Sequence, residues 1–391
     1  MKLLFYSHCF APSVGGIETI VLALARGLAG MRTPNGLAEF DLTLATETPA
    51  AQDFDDGLLP FCIFRRPSLP QLLRLIRSAD VVHVAGPALR PITLGLLAGK
   101  IVVIEHHGFQ TICPTGQLLV EPGNAPCPGH FMSGRHRECL RCRCDGNWLA
   151  SWKLWLSTFA RRFLSSKVAA NITPTAWLAE LIRLPRTIAI SHGIETMAHH
   201  AESSRSSEPP LIIFQGRLVS TKGLPVLLEA ARILRSENRP FELLVIGDGP
   251  ERNAAEKFAR QWQLSSCVRF VGRVAAGDID SAFAGASMVV VPSLGGEVFG
   301  LVLAENMSRG LPVIASDIGC FAEVIGDAGV TFRIGDPQDL ARQIACLLDD
   351  SPLASELGKR ARRRISESYS LNRMVEGHAQ LYRRLHSARR I

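Results

Sequence analysis

Short apolar runs alternate with helical patterns along almost the whole chain, and that alternation leaves few folds open. In the first half Lys2–Tyr6, Phe40–Ala45, Asp80–Val84 and Lys100–Glu105 read as strands, with helices over Glu18–Ala29 and Leu69–Ser78. In the second half strands are expected over Leu211–Gln215, Phe241–Ile246, Val268–Val271, Met288–Val291, Pro312–Ala315 and Gly329–Phe332. Helices over Leu224–Arg235, Glu251–Gln261, Asp278–Ala284, Val298–Ser308 and Asp336–Asp349 fall between them. Strands that alternate with helices build parallel sheets covered on both faces. The spacing therefore predicts an α/β chain of two Rossmann-like, doubly wound parallel-sheet domains facing each other across a cleft. Residues 1–198 form the first domain, the polar stretch 199–210 is a linker, and 211–368 form the second. A last helix within 369–391 has no strand after it and is expected to pack back on the N-terminal domain.

At 391 residues each domain is large enough to bury its own core, and 47% hydrophobic with 20% charged residues excludes disordered and fibrous classes. No apolar run approaches the roughly 20 residues of a membrane span. Met1–Tyr6 meets Ser7 and His8 too early for a signal peptide and reads as a first strand, so the cytoplasm is the expected compartment. The net charge of +7 is uneven. Arg135 to Lys167 carries eight Lys/Arg against two acids, and Gly358 to the C-terminus ten against two. Trp148, Trp152 and Trp155, with Leu154, Leu156 and Phe159, interleave with the first basic block. Two readings stand: a basic, aromatic helix at an anionic membrane, or a solvated basic face whose aromatics pack inward. No nucleic-acid motif accompanies the charge.

The densest chemistry lies after the run Met288–Val291, which ends at Pro292-Ser293. Glu297 and Glu305 stand eight positions apart around Phe299-Gly300, a step that reads as a strand-to-helix turn. Ligands of open α/β sheets bind beyond the carboxyl ends of the strands, and buried acids are costly unless something polar meets them. Gly216-Arg217…Lys222-Gly223 follows the first strand of the second half. It fails as a P-loop because Thr221 stands where glycine is needed, but it leaves an Arg and a Lys able to hold phosphate. Gly247-Asp248-Gly249-Pro250 closes the next strand. In the first half, Gly15-Gly16 before Ile17-Glu18 opens a helix whose amides attract anions, or is an ordinary tight turn.

The ordered set Gly15-Gly16-Ile17-Glu18, His107-Gly108-Phe109, Gly216-Arg217…Lys222-Gly223, Gly247-Asp248-Gly249-Pro250 and Glu297-x7-Glu305 resembles the retaining, nucleotide-sugar-dependent glycosyltransferases of the GT-B fold, glycosyltransferase group 1. The resemblance covers most of the chain. It implies that Arg217 and Lys222 hold the donor diphosphate, Glu297 accepts from sugar hydroxyls and Glu305 from the ribose. It further implies that the amides of Gly300 and Leu301 meet the distal phosphate, that Gly15 and Gly16 bring the N-terminal loop to it, and that His107 acts beside the donor sugar through its carbonyl or imidazole. The neighbour His106 leaves that assignment open by one position. Asp278-Ile279-Asp280 opens a helix, so no Asp-x-Asp metal site is expected and the two cations take the metal's place; no cofactor is required. The implied activity moves a hexose, with retention, from a nucleoside-diphosphate sugar to a lipid-linked or polysaccharide acceptor in cell-envelope or exopolysaccharide synthesis, with peripheral contact to an anionic membrane. A nucleotide-sugar epimerase on the same fold, or a non-catalytic sugar- or metal-binding protein, are the competing readings.

Half of the ten cysteines fall in an insertion at 113–144. Cys139-x2-Cys142-x-Cys144 has the spacing of half a zinc site, which Cys127 completes, with Cys113, His130 and His136 as alternative ligands. Free thiols and disulfides remain open beside a structural zinc.

Overall fold

The computed structural model describes residues 1–51, 54–120, 125–142, 148–195 and 209–389. Contacts divide the chain into two units. Unit 1 is Met1–Leu118, Pro128–Gly193 and Tyr369–Ile391; unit 2 is Leu119–Cys127 and Ile194–Ser368. Within the insertion, Leu119–Cys127 thus groups with the second unit and its flanks with the first. The expected linker falls mostly on 196–208, outside the described residues.

In chain order the first stretch gives β1 (Lys2–Ser7), α1 (Gly16–Gly30), β2 (Asp41–Thr46), β3 (Cys62–Arg65) and α2 (Leu69–Ser78). It continues with β4 (Val81–Ala85), α3 (Leu89–Leu97) and β5 (Ile101–Glu105). The short pair β6 (Leu119–Val120) and β7 (Ala125–Pro126) is antiparallel. Then come α4 (His136–Arg141), α5 (Trp148–Ser165), β8 (Ala170–Thr173), α6 (Ala176–Ile182) and β9 (Thr187–Ala189). The sheet of unit 1 runs β3-β2-β1-β4-β5-β8-β9, every pairing parallel.

Unit 2 contributes β10 (Leu211–Gln215), α7 (Leu224–Ser236), β11 (Glu242–Ile246), α8 (Arg252–Gln261), β12 (Val268–Gly272) and α9 (Ile279–Ala282). After these come β13 (Ala286–Val291), α10 (Leu301–Ser308), β14 (Val313–Ser316), α11 (Gly319–Ile325), β15 (Val330–Phe332), α12 (Pro337–Asp349) and α13 (Ser351–Ser368). Its sheet runs β12-β11-β10-β13-β14-β15, again all parallel. α14 (Leu371–Ala388) returns to unit 1.

Both sheets share one plan: the first strand is central and the order reverses beside it, at β1/β4 and at β10/β13. Such a reversal opens the sheet at the carboxyl ends of its central strands. Met288, Val289, Val290 and Val291 are all buried, as a strand covered on both faces requires. Ile212, Phe214, Leu227 and Leu228 share that core. In unit 1 Leu4, Val82, Val84, Val102 and Ile104 do the same. α14 is held by packing and charge: Gly27 of α1 is so close to Val375 that a Cβ there would lie 2.3 Å from its Cγ2, and Arg383 donates to both Glu39 carboxylate oxygens at 2.6 and 2.9 Å.

Five strands, β3, β6, β7, β8 and β9, escape the sequence pattern because each has four residues or fewer. α3 escapes it because Pro91 stands in its first turn, where proline is tolerated. The helix expected from Val298 begins instead at Leu301, because Gly300 turns left-handed at φ +90°. Glu297 therefore lies in the preceding loop, and only Glu305 is on the helix.

Candidate active site

The site of unit 2 is built from three loops that leave β10, β11 and β13 at the sheet's reversal point. The first two are laced together. Gly216 N–H donates to Ile246 O at 3.0 Å, Leu218 N–H to Asp248 O at 3.0 Å and Glu251 N–H to Leu218 O at 3.0 Å. The approach is close enough that a Cβ at Gly247, φ +136°, would lie 1.8 Å from the Gly216 carbonyl oxygen, so only glycine fits. The third loop joins through Leu294 N–H, which donates to Thr221 O at 2.8 Å.

This lacing carries Lys222, in the 3-10 turn Ser220–Lys222, to the carboxylate of Glu297: Nζ lies 2.5 Å from Oε1. Ser293 Oγ donates to the same oxygen at 3.1 Å, which leaves Oε2 for another donor. Cys320 Sγ donates to the Glu297 carbonyl at 3.4 Å. Arg217 is exposed on the same loop. Past Gly300, α10 begins with Leu301, Val302 and Leu303, whose amides have no intrahelical carbonyl to meet and carry the positive end of the helix dipole. One turn on, Glu305 is held above its ordinary carboxyl range by burial, with Arg309 pulling the other way. Arg309 is committed to Asp280, 3.3 Å away. Asp280, the second acid of the Asp-x-Asp, is thus a structural partner. Asn306 Nδ2 donates to Gln215 Oε1 at 3.1 Å and fastens α10 to the end of β10. The sequence reading missed Ser293, Cys320 and Asn306; only Ser293, directly after the buried strand, carried a signal there.

Unit 1 holds a second polar centre. Glu105, the last residue of β5, is fully buried. Around its carboxylate stand four imidazole Nε2 atoms: His83 at 3.2 Å and His107 at 3.5 Å from Oε2, His192 at 3.6 Å and His378 at 3.7 Å from Oε1. Burial would raise the Glu105 carboxyl, yet the neighbouring imidazoles, His107 foremost, hold it well below its ordinary value. Burial lowers His83 and His192, opposed by Glu105. Sequence reading passed over Glu105 and His83 as strand residues; the signal was a histidine inside the apolar run Val81–Ala85.

His106 and His107 have different tasks. Asn171 Nδ2 donates to Ser165 O and Pro185 O, so its Oδ1 accepts from His106 Nε2–H at 2.9 Å. Burial pushes His106 down to about 4, against that bond, and the ring is a neutral structural brace. The His107 side chain is 3% exposed and turned to Glu105, stacked on His192 at 5.3 Å. Gly16 opens α1, and Gly15 is extended backbone that any residue can adopt.

Cys144 lies outside the described residues. Among the described residues Cys127, Cys139 and Cys142 do not gather as a ligand set; the one group placed to hold an ion is Glu105, His107 and His192. The zinc expected at the cysteines has no support in this geometry.

The profile of the glycosyl transferases group 1 family matches residues 196–364, which span the three loops and α10. The D-inositol 3-phosphate glycosyltransferase of Paenarthrobacter aurescens is 31% identical over 90% of this chain and 88% of its own. The chain belongs to the group 1 glycosyltransferases. The phosphatidyl-myo-inositol mannosyltransferase of Mycolicibacterium smegmatis is 34% identical over 39% of this chain and 40% of its own, so the chain spans under half of that relative. The Anabaena protein Alr3699/HepE, crystallised in complex with UDP, superposes with a TM-score of 0.73 at 17% identity, over 97% of this chain and 99% of its own. That likeness establishes the two-sheet GT-B fold.

Proposed function

We propose that the chain moves a hexose from a nucleoside-diphosphate sugar to a lipid-linked or polysaccharide acceptor, with retention at the anomeric carbon. The observation that carries this reading is the Lys222–Glu297 pair set beside the N-terminus of α10 at the reversal point of the sheet. Expelling a nucleoside diphosphate builds negative charge on phosphate as the anomeric carbon becomes cationic. Lys222, Arg217 and the first amides of α10 are fixed charges and dipoles suited to that load. Glu297 accepts from sugar hydroxyls and Glu305 from the ribose. Because Lys222 and Ser293 both occupy Glu297 Oε1, that oxygen is a poor nucleophile, and attack by the acceptor on the face of the leaving phosphate is the favoured route. The complex of Alr3699/HepE with UDP supports a nucleoside-diphosphate ligand. From unit 1 we carry Gly15, Gly16 and the His107 backbone as donor-facing groups on the strength of the family resemblance; with its imidazole turned to Glu105, His107 has its carbonyl left for that role.

A lipid-linked acceptor at an anionic membrane is supported by α5. Leu149, Trp152, Leu156, Phe159 and Phe163 recur every three or four residues and are all exposed, which lays them along one face of the helix. Arg135, Arg137, Lys153 and Lys167 are exposed around it. Trp155 is in ring contact with His136 and Phe159, so part of the aromatic set packs against the protein itself. No helix among the described residues is long and apolar enough to cross a membrane.

The test is to incubate the protein with a panel of nucleotide sugars and follow nucleoside diphosphate release, with and without a membrane extract. Release that needs the extract and no added Mg²⁺ supports the proposal. Epimerised donor, or no turnover with any donor, overturns it.

A further inference from the structure

We propose that unit 1 binds one zinc-type transition-metal ion through Glu105, His107 and His192, with His378 Nε2 beside the carboxylate. The proposal concerns the buried side chains of unit 1 alone. It begins from distances. The four Nε2 atoms approach the Glu105 carboxylate at 3.2 to 3.7 Å, at or beyond the long end for N–H···O hydrogen bonds, which cluster at about 2.7–3.2 Å. Ligand atoms about 2.0–2.1 Å from a tetrahedral ion lie about 3.4 Å from one another, close to the 3.5 Å of His107 Nε2 and the 3.6 Å of His192 Nε2 from the nearer carboxylate oxygen. One donor atom each from Glu105, His107 and His192 falls within 4.8 Å of the others.

Proton placement gives a second argument. His378 Nδ1 lies 2.8 Å from the Met374 carbonyl, which can only accept, so Nδ1 carries the hydrogen. In the neutral ring Nε2 is then a bare lone pair, buried, without a hydrogen-bond partner and 3.7 Å from a carboxylate oxygen. Two lone pairs facing each other in a dry interior repel, and a cation held by the carboxylate relieves that repulsion. The carboxylate has an outer support of its own. Tyr382 Oη is 2.8 Å from His83 Nδ1, and His83 Nε2 is 3.2 Å from Glu105 Oε2. A Tyr382–His83–Glu105 relay of this kind orients a ligating carboxylate. Carboxylate and imidazole donors in a closed pocket suit zinc better than calcium or magnesium, which take oxygen-rich shells.

The experiment uses the full chain, purified without a histidine tag or chelator. Elemental analysis is expected to find one transition-metal ion per chain. Cobalt(II) exchanged into the site is expected to show visible d–d bands without the near-ultraviolet thiolate-to-cobalt band. The ion should persist when Cys127, Cys139, Cys142 and Cys144 are all replaced by serine. It should be lost in Glu105→Gln and His192→Gln, and bound about 10–100-fold more weakly in Tyr382→Phe, the outer-support variant. Folded, wild-type protein that holds no ion and takes up no cobalt overturns the proposal. So does a thiolate band that disappears in the cysteine variant. Both of these readouts use protein with its histidine cluster intact, so a variant that fails to fold leaves them decisive.

Discussion

Lys222 Nζ lies 2.5 Å from Glu297 Oε1, so the cation that would meet the donor diphosphate and the acid that would meet the donor sugar are already paired. Pairing two groups destined for two parts of one ligand lets each keep the other in place, and costs less than holding either charge alone at a half-buried loop. Lys222→Ala should leave Glu297 without its partner and the departing phosphate without its nearest cation. Turnover is expected to fall by about 10²–10³, the loss typical of removing one preorganised charge-stabilising donor. Steady-state kinetics with a labelled nucleotide sugar check this; Lys222→Arg should rescue little, because a guanidinium replaces a compact charge with a planar fork.

Donor affinity should depend on pH through Glu305. Burial raises its carboxyl above the ordinary 4.5, against Arg309. Ribose hydroxyls donate to the ionised form, so affinity is complete above the raised value and declines as pH falls through it. The complex, which favours the ionised carboxylate, binds fewer protons than the free protein. Calorimetric titration of donor in buffers from mildly acidic to neutral should show this decline together with proton release on binding. Glu305→Gln should flatten it.

Gly247→Ala tests the lacing of the loops. At φ +136° with the Gly216 oxygen 1.8 Å from the new Cβ, the backbone must move. Strain alone should cost about 1–3 kcal/mol. Because a chain of two units need not unfold in one step, the loss is best read as faster hydrogen exchange in β10 and β11.

The α5 face gives a prediction on a different surface. Wild-type protein should sediment with vesicles containing anionic lipid and less with neutral ones, and the association should weaken with salt. Replacing Trp152 and Phe163 together by glutamate should abolish it without altering donor affinity. Equal binding to neutral vesicles, or none to either, would count against a membrane role.

What could be read beforehand divides along physical lines. Period and spacing showed the β/α alternation, and the strand Met288–Val291 with its following acids marked the loops of the candidate site, because those signals are local. Ser293, Asn306 and Cys320 were hidden because their partners Glu297 and Gln215 are brought to them by loop lacing and sheet order. Glu105 was hidden more deeply. His83, His107, His192 and His378 converge on it from four separate stretches of chain, and a lone histidine in a strand is usually a satisfied core residue. The cysteine spacing Cys139-x2-Cys142 gains no support from the described thiols, and its further member Cys144 lies outside the described residues.

The most direct test of the donor site compares the affinities of a nucleotide sugar and of the free nucleoside diphosphate in two variants. Glu305→Gln should weaken both ligands by about 10–100-fold, the loss of hydrogen bonds to a charged group. Glu297→Gln should weaken the nucleotide sugar by a similar factor and leave the free diphosphate within error of wild type. If both variants bind both ligands as wild type does, or if Glu297→Gln weakens the free diphosphate as much as the sugar donor, the division of ribose and sugar between the two acids is wrong.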